Sequence, residues 1–128
     1  MTEPTISQQV LQFIAEQIDT VPQLECLLLL HQDDSRDWLA DDIAARIYIS
    51  RDTASAILQT LERRRLVASE GDPPRYRIRP GGVVSRELIA EVARTYQRHL
   101  VPVATFIHTK ASASVREFAR AFDLKKDR

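Results

Sequence analysis

Apolar positions in the first part of the chain recur at helical spacing. Ile6, Val10, Phe13, Ile14 and Ile18 fall on one stripe, as the buried side of an amphipathic helix requires. Thr5-Ile6-Ser7-Gln8 has the form of a capping box, with Thr5 at the N-cap and Gln8 reaching back. Pro22 ends that helix and suits the start of a second, Gln23 to about His31. This one is apolar nearly all round, which predicts burial. The polar segment DDSRDWLADD follows, with Trp38 in its middle and Asp41 and Asp42 placed to meet a helix N-terminus.

Ile43, Ala44 and Ile47 predict a short third helix. Ile49-Ser50 reads as a turn, and Ser50 caps a fourth helix running to about Arg65. The buried face of that helix is Ala54, Ile57, Leu58 and Leu61. Two short strands come next, Leu66–Ser69 and Tyr76–Arg79, joined by residues 70–75. In the second, Tyr76 and Ile78 face one way while Arg75, Arg77 and Arg79 face the other. Pro80-Gly81-Gly82 breaks the chain, and Ser85 starts a long helix that Pro102 should kink. Its stripe is Leu88, Val92, Tyr96, Leu100, Val103 and Ile107. Ser114-Val115-Arg116-Glu117 is a second capping-box pattern, opening a last helix with Phe118 and Phe122 on one side.

With 44% hydrophobic and 28% charged residues, the 128-residue chain has the balance of one globular domain. The lone cysteine, Cys26, excludes an internal disulfide framework and suits a reducing compartment. No signal-peptide pattern opens the chain. The longest apolar run, Leu27 to Leu30, is far short of the roughly 20 residues a membrane helix needs. The expectation is a cytoplasmic protein without membrane association. Net charge is zero but unevenly spread: −7 over residues 1–49, +3 over 50–79 and +4 over 80–128. One basic face on a neutral protein favours binding a polyanion in one orientation.

Residues 38–79 combine a short helix, a turn, a second helix and two strands. The stretch DDIAARIYISRDTASAILQTLERRRLVASEGDPPRYRIRP resembles the winged helix-turn-helix regulators, and among them the MarR type. The likeness rests on Ile43-Ala44, the Ile49-Ser50 turn, Ala54, Leu58 and Leu61, and the ERRRLV ending. The resemblance implies a mainly α fold with a small two- to three-stranded β wing. It also implies a DNA-binding transcriptional regulator, with the long helix after the wing serving dimerisation. Two positions depart from the family pattern: Tyr48 and Arg65 stand where glycine is common. A left-handed backbone there would cost a non-glycine residue about 1 kcal/mol, so a locally different turn is expected.

The outward face of the fourth helix carries Arg51, Thr53, Ser55, Ala56, Gln59, Thr60 and Arg63. Small polar groups near its N-terminus permit close approach to a major groove. Arg51 and Gln59 can read base edges, and Ser50 opens a helix end whose amides suit a phosphate. Arg75 and Arg77 on a wing over 70–79 would grip the backbone or the minor groove. Asp52 opposes this locally, unless it pairs with Arg51 or a cytosine amine.

No nucleophile elbow, phosphate loop or paired-carboxylate site is present, so an enzyme is not expected. His31, His99 and His108 lack metal-ligand spacing, and no metal or cofactor is implied. Cys26, amid LECLLLL, reads as a small core residue. Residues 85–108 are too long and too apolar on one stripe for so small a domain to cover. A second copy would cover them, making Leu88, Val92, Tyr96, Leu100, Val103 and Ile107 a homodimer interface; the alternative is that they pack against the N-terminal helix alone. The expected organisation is therefore an N-terminal helix over 1–21 supporting the core or the dimer, a winged helix-turn-helix over 22–82, and C-terminal dimerisation helices over 83–128. Double-stranded DNA and a second copy are the expected partners. The alternative is a winged-helix adaptor that binds a protein, through the acidic segment 33–42 or the long helices, and binds no DNA. A sensor holding a small ligand in the dimer interface is a third reading.

Overall fold

Residues 6–79 and 84–110 are described by a computed structural model. The first helix, α1 (Gln8–Gln17), is capped by Ser7, whose Oγ accepts the Val10 amide at 3.2 Å. The cap thus falls two residues after Thr5, which lies outside the described residues together with the rest of 1–5. Val10, Phe13, Ile14 and Ile18 are buried as the stripe requires.

The chain leaves α1 at Ile18, ahead of Pro22, and re-enters helix at α2 (Val21–Gln32). Thr20 is the N-cap: its hydroxyl accepts the Gln23 amide at 3.2 Å, and the Gln23 side chain accepts the Asp19 amide at 2.8 Å. That exchange satisfies donors the helix start would otherwise leave open, and it explains why Gln23 is the one buried polar residue of the described core. Helix α2 is apolar all round because it runs through the middle, packing on α3, α4, α5 and the second strand.

Helix α3 (Ala40–Ile47) carries Asp41 and Asp42 in its first turn, and the Asp42 carboxylate accepts the Leu39 amide at 3.1 Å. Tyr48 then takes the left-handed conformation, φ 60° and ψ 47°, while the Tyr48 and Ile49 amides both close on the Ala44 carbonyl. Ser50 caps α4 (Arg51–Arg63), its Oγ accepting the Thr53 amide at 3.0 Å. Beyond α4, Arg65 is also left-handed, at φ 63°, and the Leu66 amide reaches back to the Leu61 carbonyl. The expected departure from the glycine turns does not occur: both turns keep their left-handed geometry and accept the steric cost.

The wing is an antiparallel pair, β1 (Val67–Glu70) and β2 (Arg75–Ile78), with Val67 opposite Ile78 and Glu70 opposite Arg75. Tyr76 and Ile78 are buried, while Arg75, Arg77 and Arg79 are exposed. Gly71 turns the chain at φ 90°. An isolated bridge adds a third edge: Trp38 donates to the Tyr76 carbonyl at 2.8 Å, and Tyr76 donates to the Trp38 carbonyl at 2.7 Å. The architecture is mainly α with a small β wing, a winged helix-turn-helix.

Ser85 caps α5 (Arg86–Arg98), its Oγ accepting the Leu88 amide at 3.1 Å. The long helix is interrupted at His99 and resumes over 100–110 as α6. Pro102 has no amide to offer the Arg98 carbonyl four residues back, so the helix breaks ahead of it. The capping-box pattern at 114–117, Phe118 and Phe122 lie outside the described residues. One hydrophobic cluster joins α1, α2, α3, α4, the wing, α5 and α6.

Asp19, in the corner between α1 and α2, ties distant parts together. Its carboxylate accepts from Arg64 just beyond α4 at 2.6 Å and pairs with Lys110 of α6 at 3.4 Å. Arg64 also donates to the Gln17 carbonyl and Lys110 to the Ile18 carbonyl. Partial burial alone would raise the Asp19 pKa, but the two cations outweigh it and hold the carboxyl below its ordinary 3.8. A lowered folded-state pKa gives stability that is present above the unfolded pKa and lost as the pH falls through the folded one. The carboxylate is half exposed, so Asp19→Asn should cost about 1 kcal/mol at pH 7. The difference from wild type should shrink once the pH drops below the ordinary 3.8. Urea unfolding of both proteins across that range checks it; a difference independent of pH would show that charge is not what Asp19 contributes.

Candidate nucleic-acid interface

Two capped ends fix α4 with one face inward and one outward. Ala54, Ile57, Leu58 and Leu61 are buried. Arg51, Thr53, Ala56, Gln59 and Arg63 are exposed, and Ser55 and Thr60 are half-buried at the margin. Several outward groups are ordered by neighbours one turn away. Gln59 donates to Ser55 Oγ at 3.1 Å, Arg63 donates to Thr60 Oγ1 at 3.0 Å, and the Ser50 hydroxyl donates to Thr53 Oγ1 at 2.8 Å. The face is polar, shallow at its N-terminal end and carries no bulky apolar group, as entry into a major groove requires.

The first turns of α4 lie beside the wing. Arg51 and Ser55 share a cleft of about 90 Å³ with Pro73 and Pro74 at the wing tip and with Leu39, Ala40, Asp41 and Tyr76. Arg75 and Arg77 project from the other, solvent side of the ribbon, where they line a shallow groove with Asp37 and Glu70. The structure therefore brings Arg51, Ser55 and the wing tip together, and sets Arg75 and Arg77 apart on the outer side.

Sequence reasoning missed what the acidic segment does. Asp41 pairs with Arg51 at 3.2 Å and Asp37 with Arg77 at 2.6 Å. Asp34 pairs with Arg86 at 2.5 Å and Asp42 with Arg36 at 3.4 Å, while Asp33 accepts from the Ser35 hydroxyl. Four of the five aspartates are counter-ions for the chain's own arginines, so the segment offers a protein partner less unpaired charge than its composition suggests. No local signal could have revealed this, since the pairs between Asp37 and Arg77 and between Asp34 and Arg86 span 40 and 52 residues. Every side chain in these four pairs is at least 36% exposed, so each pair is worth roughly 1 kcal/mol or less. A phosphate can compete with such a carboxylate.

The stripe assigned to dimerisation is corrected in one respect. It does not lie open in a single chain: Val92, Val103 and Ile107 are buried, and Leu88 and Tyr96 are packed on the same core. The break at His99 turns α6 back onto the α1–α2 corner, where Lys110 anchors it. Leu100 alone of the six is exposed, at 52%, beside Val101 at 69%. Tyr96 donates to Glu25 at 3.1 Å; burial first, then the Glu25 charge and this bond, push its pKa up to about 12. The two residues border a cavity of about 380 Å³ that also meets Leu28, His31 and Ile47. His31 Nδ1 is buried without a hydrogen-bond partner among the described residues. Among those residues no group of His, Cys, Asp and Glu side chains is placed to hold a metal ion, and no helix is long and apolar enough to cross a membrane.

The fold is that of the MarR-type winged-helix proteins. A MarR family protein from Bacillus stearothermophilus superposes with a TM-score of 0.52 at 20% identity, over 94% of this chain and 84% of that one. MepR, a transcription regulator of the Staphylococcus aureus multidrug efflux pump MepA, gives 0.55 at 18% identity, over 90% and 88%. The Mycobacterium tuberculosis transcriptional regulator MosR gives 0.50 at 18% identity, over 94% and 87%. The sequence matches no protein-family model and no curated protein.

Cys26 stands apart from all of this. It is fully buried, and burial together with the Glu25 charge pushes its thiol up to about 12, leaving almost no thiolate to react. Cys26→Ala should leave a small void and cost about 1 kcal/mol, with ligand binding unchanged. Native protein should resist a thiol reagent that labels the urea-unfolded chain at once; rapid labelling of the folded state would show an accessible thiol.

Proposed function

We propose that this chain is a DNA-binding transcriptional regulator, acting as a homodimer in the cytoplasm, and not an enzyme. Helix α4 enters the major groove, and the wing over 70–79 lies on the backbone or in the minor groove. The observation that carries the reading is the α4 face: a capped helix, apolar inward, with Arg51, Thr53, Ser55, Ala56 and Gln59 outward beside a two-stranded wing. The likeness in fold to proteins described as transcription regulators supports it. In this reading Ser50 presents the α4 amides to a phosphate, Arg51 and Gln59 read base edges, and Arg63, Arg75 and Arg77 hold the backbone. Arg51 and Arg77 exchange their aspartates for DNA on binding. A second copy covers Leu100 and Val101 and extends the stripe formed by Leu88, Val92, Tyr96, Val103 and Ile107.

A regulator whose affinity responds to a small molecule is a second reading. It is favoured by the cavity bordered by Glu25, His31 and Tyr96.

On a preferred duplex, Arg51→Ala and Gln59→Ala should each cost about 1–3 kcal/mol and relax base preference. Arg75→Ala should weaken all sequences alike and lower the salt slope by about one. Fluorescence titrations at several salt concentrations read both. Wild-type affinity in all three variants, with loss of a protein contact on neutralising Asp33–Asp42, would favour the adaptor instead. Light scattering tests assembly separately: the wild type should show about twice 14.6 kDa, and Leu100→Glu should fall to the monomer mass while staying folded. A wild-type monomer at micromolar concentration would end the dimer proposal.

A further inference from the structure

Tyr48 holds the left-handed turn between α3 and α4, at φ 60° and ψ 47°. For any residue with a Cβ this conformation sacrifices stability that glycine would keep. A buried side chain could recover the loss through packing, but Tyr48 is 93% exposed. Among the described residues its ring stacks on no guanidinium, and its hydroxyl makes no hydrogen bond. It also leaves a large aromatic surface in water, which is unfavourable in itself. The backbone bonds to the Ala44 carbonyl sustain the turn and would do so equally with glycine. The tyrosine side chain itself is repaid by no contact inside the described chain, which directs attention outside it, because strained and exposed residues concentrate where a molecule meets its ligand.

The position says which ligand. Tyr48 lies two residues before the Ser50 cap, so its Cα is within about 7 Å of the α4 N-terminus. That end presents the amides its Ser50 cap leaves open, with Arg51, Asp52 and Thr53 exposed around them and Arg51 held by Asp41 at 3.2 Å. The open amides suit a phosphate, and Asp52 opposes it. A phenol is a rigid, neutral donor that contributes apolar contact and one hydrogen bond at little conformational cost.

We propose that Tyr48 is a DNA-contact residue: its ring lies along the sugar–phosphate backbone beside the α4 N-terminus, and its hydroxyl donates to a phosphate oxygen. The proposal rests on the DNA-binding reading above. It explains why the turn carries tyrosine where glycine would be more stable: stability is given up at the interface in return for a contact. Because the contact is to backbone, it positions the protein without choosing a base. Because the phenol is uncharged, it releases no counterion.

The experiment uses the full chain, a duplex selected by the wild type from genomic fragments, and an unrelated duplex of equal length. Tyr48→Gly and Tyr48→Asn both tolerate the left-handed backbone, and asparagine does so without glycine's flexibility. Both variants should melt higher than wild type and bind both duplexes about tenfold more weakly, with the salt slope unchanged. Tyr48→Phe should keep the wild-type melting temperature and lose several-fold of affinity. If Tyr48→Asn binds both duplexes as wild type does, the proposal is overturned while the DNA-binding reading stands. Lower melting of the glycine and asparagine variants would also overturn it, by showing that the ring stabilises the fold. Failure of the wild type to bind any fragment overturns both readings together.

Discussion

The relation between the wing and α4 depends on a pair of backbone hydrogen bonds. Trp38 and Tyr76 exchange amide and carbonyl at 2.8 and 2.7 Å, joining the strand-like entry to α3 directly to β2. The Trp38 ring is buried to within 1% of its surface, its Nε1 donates to the Asp33 carbonyl, and the Arg36 guanidinium lies 3.8 Å from the ring centroid. A two-stranded ribbon on its own is marginal in water. Here the third edge and the buried Tyr76 side chain fasten it to the segment from which α3 and then α4 depart. Wing and α4 are thereby set by one shared joint and not by a flexible linker.

A second constraint acts on α4 itself. Its entry and exit are both left-handed residues that are not glycine, Tyr48 and Arg65. At each, helix-closing hydrogen bonds outweigh the steric penalty: Tyr48 and Ile49 close on Ala44, and Leu66 closes on Leu61. Leu66 and Val67 then enter the core directly. The direction of the chain after α4 is governed by burial of those two residues, and Arg65 adopts whatever conformation that direction demands.

Local patterns in the sequence were enough for the fold and for the orientation of α4. The Ser50 and Ser85 caps, the inward set Ala54, Ile57, Leu58 and Leu61, and the alternation along residues 75–79 each depend on neighbours within one turn or one strand. The strands lie one residue from where the pattern put them, because register is decided by pairing partners and not by alternation alone. Ser7 caps α1 within a run, Thr5-Ile6-Ser7, that contains two suitable hydroxyls. What could not be read is what depends on distant partners: the Trp38 bridge, the pairing of Asp37 with Arg77, and how far the single chain buries Val103 and Ile107 in its own core. In the candidate site the outward residues of α4 were legible from periodicity, but the counter-ions that hold Arg51 and Arg77 were not. Propensity disfavours the left-handed turn at Tyr48, because it does not include the Ala44 hydrogen bonds that sustain it.

If a polyanion binds at Arg51 and Arg77, as proposed above, the aspartates facing them make that binding an exchange and not a simple neutralisation. When phosphate replaces Asp41 or Asp37, the freed carboxylate gathers cations from solution as the nucleic acid sheds its own. The two ion movements partly cancel. On the DNA-binding reading, such an arginine adds less to the salt dependence of binding than Arg75, which has no acidic partner within salt-bridge distance among the described residues. On that reading, a surface built this way would hold weakly onto random polyanions while keeping its donors in place. It is to a bare basic patch what a buffered solution is to an unbuffered one.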